Sequence, residues 1–371
     1  MPKTGVRLEK PESRDKEVRK EEDMRKLSRI SLFLMFTVLV TLLLVTVAIA
    51  KDYLYVPCDN ALDIIDMSSD TIVKTIKYRG YIVGARFSPD GKRYYLNYWR
   101  GLYVIDTERN ELIDNIKFWS DLNRVTIQPC FDVSNDGKKL YLSVLIVKKR
   151  LNVPRLNVLP PKLIVYNLET KRVEKSFDIP YCATGVLTLK NDPDHIIIFD
   201  QDVHKLDLRN GKLKKIWGIL RPMKNQPALN SLALWDNRPT PDNVGLFINP
   251  AYTADGNSLY YMIIDRRTGE VKMLKGEDVP FEYSAVVSPD RKFIYAGMDE
   301  VYKIDFHTGK TLAMDQLARG TCYAYNTNSD GTKLYVGPAG ADVSVYDTST
   351  MKRTGVIFLH GNGIVAHRLT K

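Results

Sequence analysis

The sequence is short of the residues that most often carry chemistry. Its 371 residues include only four cysteines, five histidines and four tryptophans. Cys58, Cys130, Cys182 and Cys322 stand far apart, with no CxxC or CxxCH among them, so the chain offers neither a zinc knuckle nor a covalent haem site of its own. Four cysteines in an exported domain could pair in three ways, yet each lies near a strand-like stretch where a small thiol packs as a hydrophobe. The sequence favours the thiol reading. His195, His204, His307, His360 and His367 show no HExxH or other ligand spacing, and His307 sits in a turn where a surface role is expected. No phosphate-binding loop, GxGxxG or GxSxG occurs. Asp and Glu are plentiful, but most fall in repeated turns where they serve the backbone, so no catalytic residue can be picked out.

Charge has a sign. Fifty-four Lys and Arg against 44 Asp and Glu leave a net charge of +10. The cations are dispersed among acids and no nucleic-acid module accompanies them, so an acidic partner or anionic lipid is expected rather than nucleic acid. Residues 1–29 are dense in both signs and lack hydrophobic periodicity, which predicts a solvated tail. From Ile30 to Ala50 no charge occurs, and about 21 residues at 1.5 Å each span roughly 31 Å, a bilayer core. Arg25, Lys26 and Arg29 precede this run, which predicts a single-pass membrane protein with a cytoplasmic tail and residues 51–371 in the periplasm or outside the cell. Ala48-Ile49-Ala50 would suit a signal peptidase, but the apolar run exceeds a signal core and an uncleaved anchor is favoured.

What the sequence has in quantity is repetition. A turn beginning with Asp or Asn recurs at Asp66, Asp106, Asn167, Asp207, Asp265, Asp305 and Asp347, mostly about forty residues apart. A second turn recurs around Asp90, Asp136, Asp192, Asp290 and Asp330. In both, the carboxylate can accept its own backbone two residues on, and glycine supplies positive φ. Short runs rich in Val, Ile, Tyr and Phe separate them. Two alternating turns at a four-strand period predict an all-β fold, a seven-bladed β-propeller behind an N-terminal transmembrane helix.

The first blade begins one strand short, with runs at 53–57, 61–66 and 71–77 only. A surplus strand, 363–369, remains at the end. Joining them closes the ring and removes an open edge. Three insertions, 118–125, 148–162 and 218–228, fall on the face opposite the recurring turns. The middle one, KKRLNVPRLNVLPPK, is basic and proline-rich and is expected to stay extended without forming a strand, with Arg150 and Arg155 as candidates for a partner surface. A further insertion, 237–243, falls on the turn face. Blade five is irregular, with its first strand expected at 231–236, its second at 244–252 and a turn at Ala254-Asp255-Gly256.

The irregular pieces carry a family resemblance. KDYLYVP, FSPDGKRYYL, VHKLDLRNGKL, LALWDN followed by INPAYT, EDVPFEYSAVVSPD and KLYVGPAGADVSVYDTSTM occur in order along residues 51–371. This region resembles the β subunit of quinohaemoprotein amine dehydrogenase and, more broadly, the YVTN-repeat propellers. The resemblance implies a scaffold subunit with no cofactor of its own. It would hold a small quinone-bearing chain beside a c-type cytochrome subunit in an amine-oxidising complex. It also implies partner-surface roles for Trp235, Asn249, Tyr252, Phe281 and Tyr283, of which the four aromatics would serve equally well as inter-blade core. A propeller with a bound pyrroloquinoline quinone is not indicated, because its D-x-x-x-G-x-x-x-W repeat is approached only at Asp207, Gly211 and Trp217. A stand-alone cell-surface propeller that binds a protein or glycan is the alternative.

Overall fold

The computed structural model describes residues 50–232, 245–337 and 340–371, together with Met24, Ser28, Ser31, Phe33 and Met35. The chain divides into two compact units, Met1–Ala50 and Lys51–Lys371. In the first, the five isolated positions are helical. Among the described residues no helix is long and apolar enough to cross a membrane, and most of the apolar run from Ile30 to Ala50 lies outside them.

The second unit is the seven-bladed propeller. Seven antiparallel sheets follow one another in chain order. Blade one unites Asp52–Cys58, Ala61–Asp66 and Thr71–Lys77 with His367–Thr370 from the far end of the chain. Blades two to seven occupy residues 84–117, 123–178, 185–218, 229–275, 284–316 and 324–358. The innermost strands Gly84–Phe87, Gly185–Thr188, Ser284–Val287 and Ala324–Thr327 are buried along their whole length, whereas the outermost strand Arg172–Asp178 is nearly all exposed. The cores lie between blades. One joins Tyr55 and Leu62 of blade one to Phe87, Tyr94 and Leu96 of blade two, and another joins Leu187 and Phe199 of blade four to Phe247 and Met262 of blade five. Each such aromatic removes enough apolar surface to favour the ring by about 2 kcal/mol. No blade buries both faces alone.

The recurring turns behave as their residues dictate. At all seven sites the first carboxylate or amide oxygen accepts a backbone N–H two residues on, at 2.7 to 3.0 Å. Four residues after it the chain must turn left-handed. Gly211, Gly269 and Gly309 do so at φ 72 to 79°, but Asp70, Asn110, Lys171 and Met351 are held at φ 53 to 56°, a conformation that costs a non-glycine residue about 1 kcal/mol. Neighbouring blades grip two of these strained residues: the Tyr55 hydroxyl donates to Asn110 at 2.8 Å and the Tyr335 hydroxyl to Asp70 at 2.5 Å. In the second turn, Asp90, Asp136, Asp290 and Asp330 accept the N–H two residues on within 3.1 Å. Asp192 departs from the pattern and instead binds Lys205 at 2.6 Å and His195 at 2.7 Å.

Closure follows the expected scheme with a shorter strand. Tyr53 pairs with Leu369 and Tyr55 with His367, while Gly363 makes only an isolated bridge to Cys58. The connector before this strand is fastened by buried Asp63, which accepts the His360 N–H at 2.9 Å and the His360 ring nitrogen Nδ1 at 2.8 Å. Both ends of the ring, Asp52 and Thr370, lie side by side on the face of the recurring turns.

Four expectations need correction. Residues 148–162 do contain a strand: Leu156–Val158 pairs with the last three residues of Lys139–Lys149, because Pro154, Pro160 and Pro161 flank the strand rather than interrupt it. The insertion at 118–125 likewise ends in a strand, Asn123–Ile127, on the other side of Lys139–Lys149. In blade five the inner strand is Leu229–Leu232 and its partner Leu246–Thr253. Trp235 and the insertion at 237–243 lie outside the described residues. All four cysteines are free thiols; Cys58, Cys130 and Cys322 are buried, but Cys182 is exposed rather than packed.

Candidate functional site

Strand direction sorts the loops onto two faces. Turns between first and second strands, and between third and fourth, form the turn face. Second-to-third turns and blade connections form the insertion face. On the insertion face a row of aromatic rings crosses from blade five to blade seven. Tyr252 is the penultimate residue of the second strand of blade five and lies near-parallel to Phe281, with centroids 5.8 Å apart and 15° between planes. Phe281 meets Tyr283 edge-on at 5.3 Å, and Tyr283 meets Tyr323 at 4.9 Å. Phe281 is 57% exposed. The row is fixed from below: the Tyr252 hydroxyl accepts the Glu282 N–H at 2.5 Å and donates to the Pro280 carbonyl at 3.0 Å, which ties the connector between blades five and six to blade five.

Of the residues singled out in the sequence, Tyr252, Phe281 and Tyr283 are therefore brought together. Asn249 is not with them. It is buried three residues before Tyr252, so its side chain lies on the other face of the sheet, and its Nδ2 donates to the Pro250 carbonyl at 2.8 Å. Arg150 and Arg155 are exposed on blade three.

Sequence reasoning missed Glu282. It sits two residues before the inner strand of blade six, where blades two, four and seven bury Ile82, Ala183 and Cys322. Glu282 is fully buried too. Tyr261 donates to its Oε1 at 2.8 Å, and its Oε2 has no hydrogen-bond partner among the described residues. Burial pushes its pKa from 4.5 to about 8, against a smaller downward pull from Tyr261. At neutral pH it is a protonated acid with one bonding position unused, behind a wall of aromatic rings. Such a group can donate a hydrogen bond, or ionise when a cation comes near. The signal was a carboxylate between two aromatics at a position the repeat otherwise keeps apolar.

The turn face presents two clefts. One of 460 Å³ between blades five and six is lined by Asp265, Arg267, Arg291 and His307, and one of 260 Å³ between blades three and four by Asp136, Lys139 and His195. Arg267 is committed to Asp265 at 2.8 Å and His195 to Asp192 at 2.7 Å. Among the described residues no group of three or more His, Cys, Asp or Glu could hold a metal ion.

Comparison with known proteins finds no matching family model, and no curated protein matches the sequence. Solved structures do match. A chain of Kuenenia stuttgartiensis hydrazine synthase superposes with a TM-score of 0.53 at 15% identity, over 82% of this chain and 90% of that one. A protein of Desulfotomaculum acetoxidans DSM 771, described as functionally unknown, superposes with a TM-score of 0.54 at 15% identity, over 86% of this chain and 98% of that one. At that identity the likeness establishes the propeller scaffold and nothing about activity.

Proposed function

We propose that this propeller is the non-catalytic scaffold subunit of an amine-oxidising redox complex, a counterpart of the β subunit of quinohaemoprotein amine dehydrogenase. The observation that carries the reading is the row Tyr252, Phe281, Tyr283 and Tyr323, with Phe281 more than half exposed. Rigid aromatics held by hydrogen-bonded connectors make good anchors for a partner, since they contribute large contact area at little entropic cost. In this reading a small quinone-bearing chain docks there, a c-type cytochrome subunit lies alongside, and quinone and haem both belong to those partners. The apolar run from Ile30 to Ala50 anchors the complex, with residues 1–29 in the cytoplasm and the ring in the periplasm or outside the cell.

Purification of the full chain from its native membranes, with haem and quinone staining of what co-elutes, tests this. Both stains should follow the chain and should be lost from a Phe281→Ala, Tyr283→Ala variant that still melts cooperatively. A clean monomer free of both cofactors would instead favour a stand-alone cell-surface propeller that binds a protein or glycan.

A further inference from the structure

We propose that the strands projecting from blade three form a second docking surface, for an acidic protein surface that carries apolar side chains. Strand register builds the surface. Val144–Lys148 pairs with Ile127–Asn123, and Val147–Lys149 pairs with Val158–Leu156. Lys149 also donates its N–H to the Leu122 carbonyl at 2.8 Å. Side chains directly opposite each other share a face, so Arg124, Val147 and Val158 form one row and Leu122, Lys149 and Leu156 the next. On the other side, Val125 and Ile146 pack against the core between blades two and three. Among the described residues the outward side has no such cover: Leu122 is 44% exposed, Leu156 51% and Val158 62%, with Leu151 at the hairpin tip 83%. Contiguous apolar surface on the face of an ordered sheet marks an interaction site.

Charge selects the occupant. Residues 119–127 and 144–162 contain Arg124, Lys148, Lys149, Arg150, Arg155 and Lys162 against Asp121 alone. Among the described residues only Lys162 of these cations is in an ion pair, with Asp178. A second copy of the chain docked face to face would set Arg124 and Lys149 against themselves, which like-charge repulsion opposes. A polyanion would satisfy the cations but has no use for Leu122, Leu156 and Val158. A bilayer would engage the tip at Leu151, not a flat face. Pro154, Pro160 and Pro161 flank the outer strand and discourage edge-to-edge pairing, which leaves docking by the face. Apolar side chains interspersed with unpaired cations, Lys149 between Leu122 and Leu156 among them, together fit a protein surface that carries both acidic and apolar side chains. This surface is separate from the aromatic row and does not depend on the amine-oxidising reading.

The test places photo-reactive benzoylphenylalanine at Val158 of the full-length chain in the cells that make it, with Val73 on the outer strand of blade one as the exposed control. Irradiation should yield an adduct with one other protein, through a peptide rich in Asp or Glu. That adduct should fall at least about tenfold when Lys149→Glu and Arg155→Glu are combined. It should fall likewise in a Leu156→Ser chain, and it should return when the acids of the captured peptide are changed to Lys. Thermal melts of both variants should match the parent, since the altered residues are exposed. Adducts with lipid, nucleic acid or a second copy of the chain would overturn the proposal. So would an adduct no stronger than at Val73, or one indifferent to charge reversal.

Discussion

The two faces of the ring use the same residue types to opposite ends. On the turn face the recurring carboxylates are well supplied with donors: the Ser349 hydroxyl and the Thr350 N–H hold Asp347 down at about 2, and the first oxygen of each of the seven first turns accepts the N–H two residues on. On the insertion face Glu282 is pushed up to about 8, with one oxygen unmatched, and among the described residues Lys148, Lys149, Arg150 and Arg155 of blade three form no ion pair. Carboxylates on the first face stabilise the fold above the ordinary carboxylate range and lose that contribution as pH falls through their depressed values. Glu282 acts in the other direction. The difference teaches that the repeated hydrogen-bonding pattern belongs to one side, which leaves the other free to depart from the repeat.

The harshest way to break this comparison is to remove the closing strand. Deleting residues 363–371 strips blade one of its inner strand and takes away buried Val365, Ala366 and Leu369. Stability should drop by more than about 5 kcal/mol, enough to unfold a domain of ordinary stability. Circular dichroism melts decide it, and a truncated chain that melts like the parent contradicts the closure argument.

Next in size is the buried acid. Between pH 4.5 and about 8 the folded chain keeps a proton that the unfolded chain has released, so stability declines as pH rises through that window and levels off above it. Glu282→Gln should flatten the decline and stabilise the chain at pH 9 by roughly 3 to 5 kcal/mol. Urea midpoints measured from pH 5 to pH 9 for both chains supply the comparison; parallel profiles would show that Glu282 is not the titrating group.

The smallest effects should appear within the turns, and with opposite signs. Asp106→Ala removes the acceptor for the Glu108 and Arg109 N–H groups and for Arg93, and should cost about 1 to 3 kcal/mol. Lys171→Gly relieves a left-handed residue and should gain up to about 1 kcal/mol, less the exposed pair with Asp114. Paired denaturation curves resolve both. Equal shifts in one direction would mean that turn geometry does not set these energies.

Much of the fold was legible because the turns are local. An aspartate two residues from the N–H it accepts announces itself in any blade, and the missing first strand before Tyr53 pointed to its replacement near Leu369. The strand Leu156–Val158 was not legible, because proline content argued against it while the pairing that forms it depends on how far Lys139–Lys149 extends. Lys171 and Met351 hid positive φ behind side chains that do not prefer it. For the site, Tyr252, Phe281 and Tyr283 were found through family resemblance, whereas Asn249 turned out to face away. Glu282 escaped notice because a lone glutamate in a loop looks solvated until the repeat is aligned and its neighbours prove apolar.

The pairing of Tyr53 with Leu369 also sets a timetable. Blade one leaves the ribosome with its inner edge bare, and more than 280 residues must follow before the strand that covers it exists. Until His367–Thr370 has emerged, no intermediate can be a finished circle, and the exposed edge of Asp52–Cys58 is the place where a chaperone or a misplaced strand would first take hold.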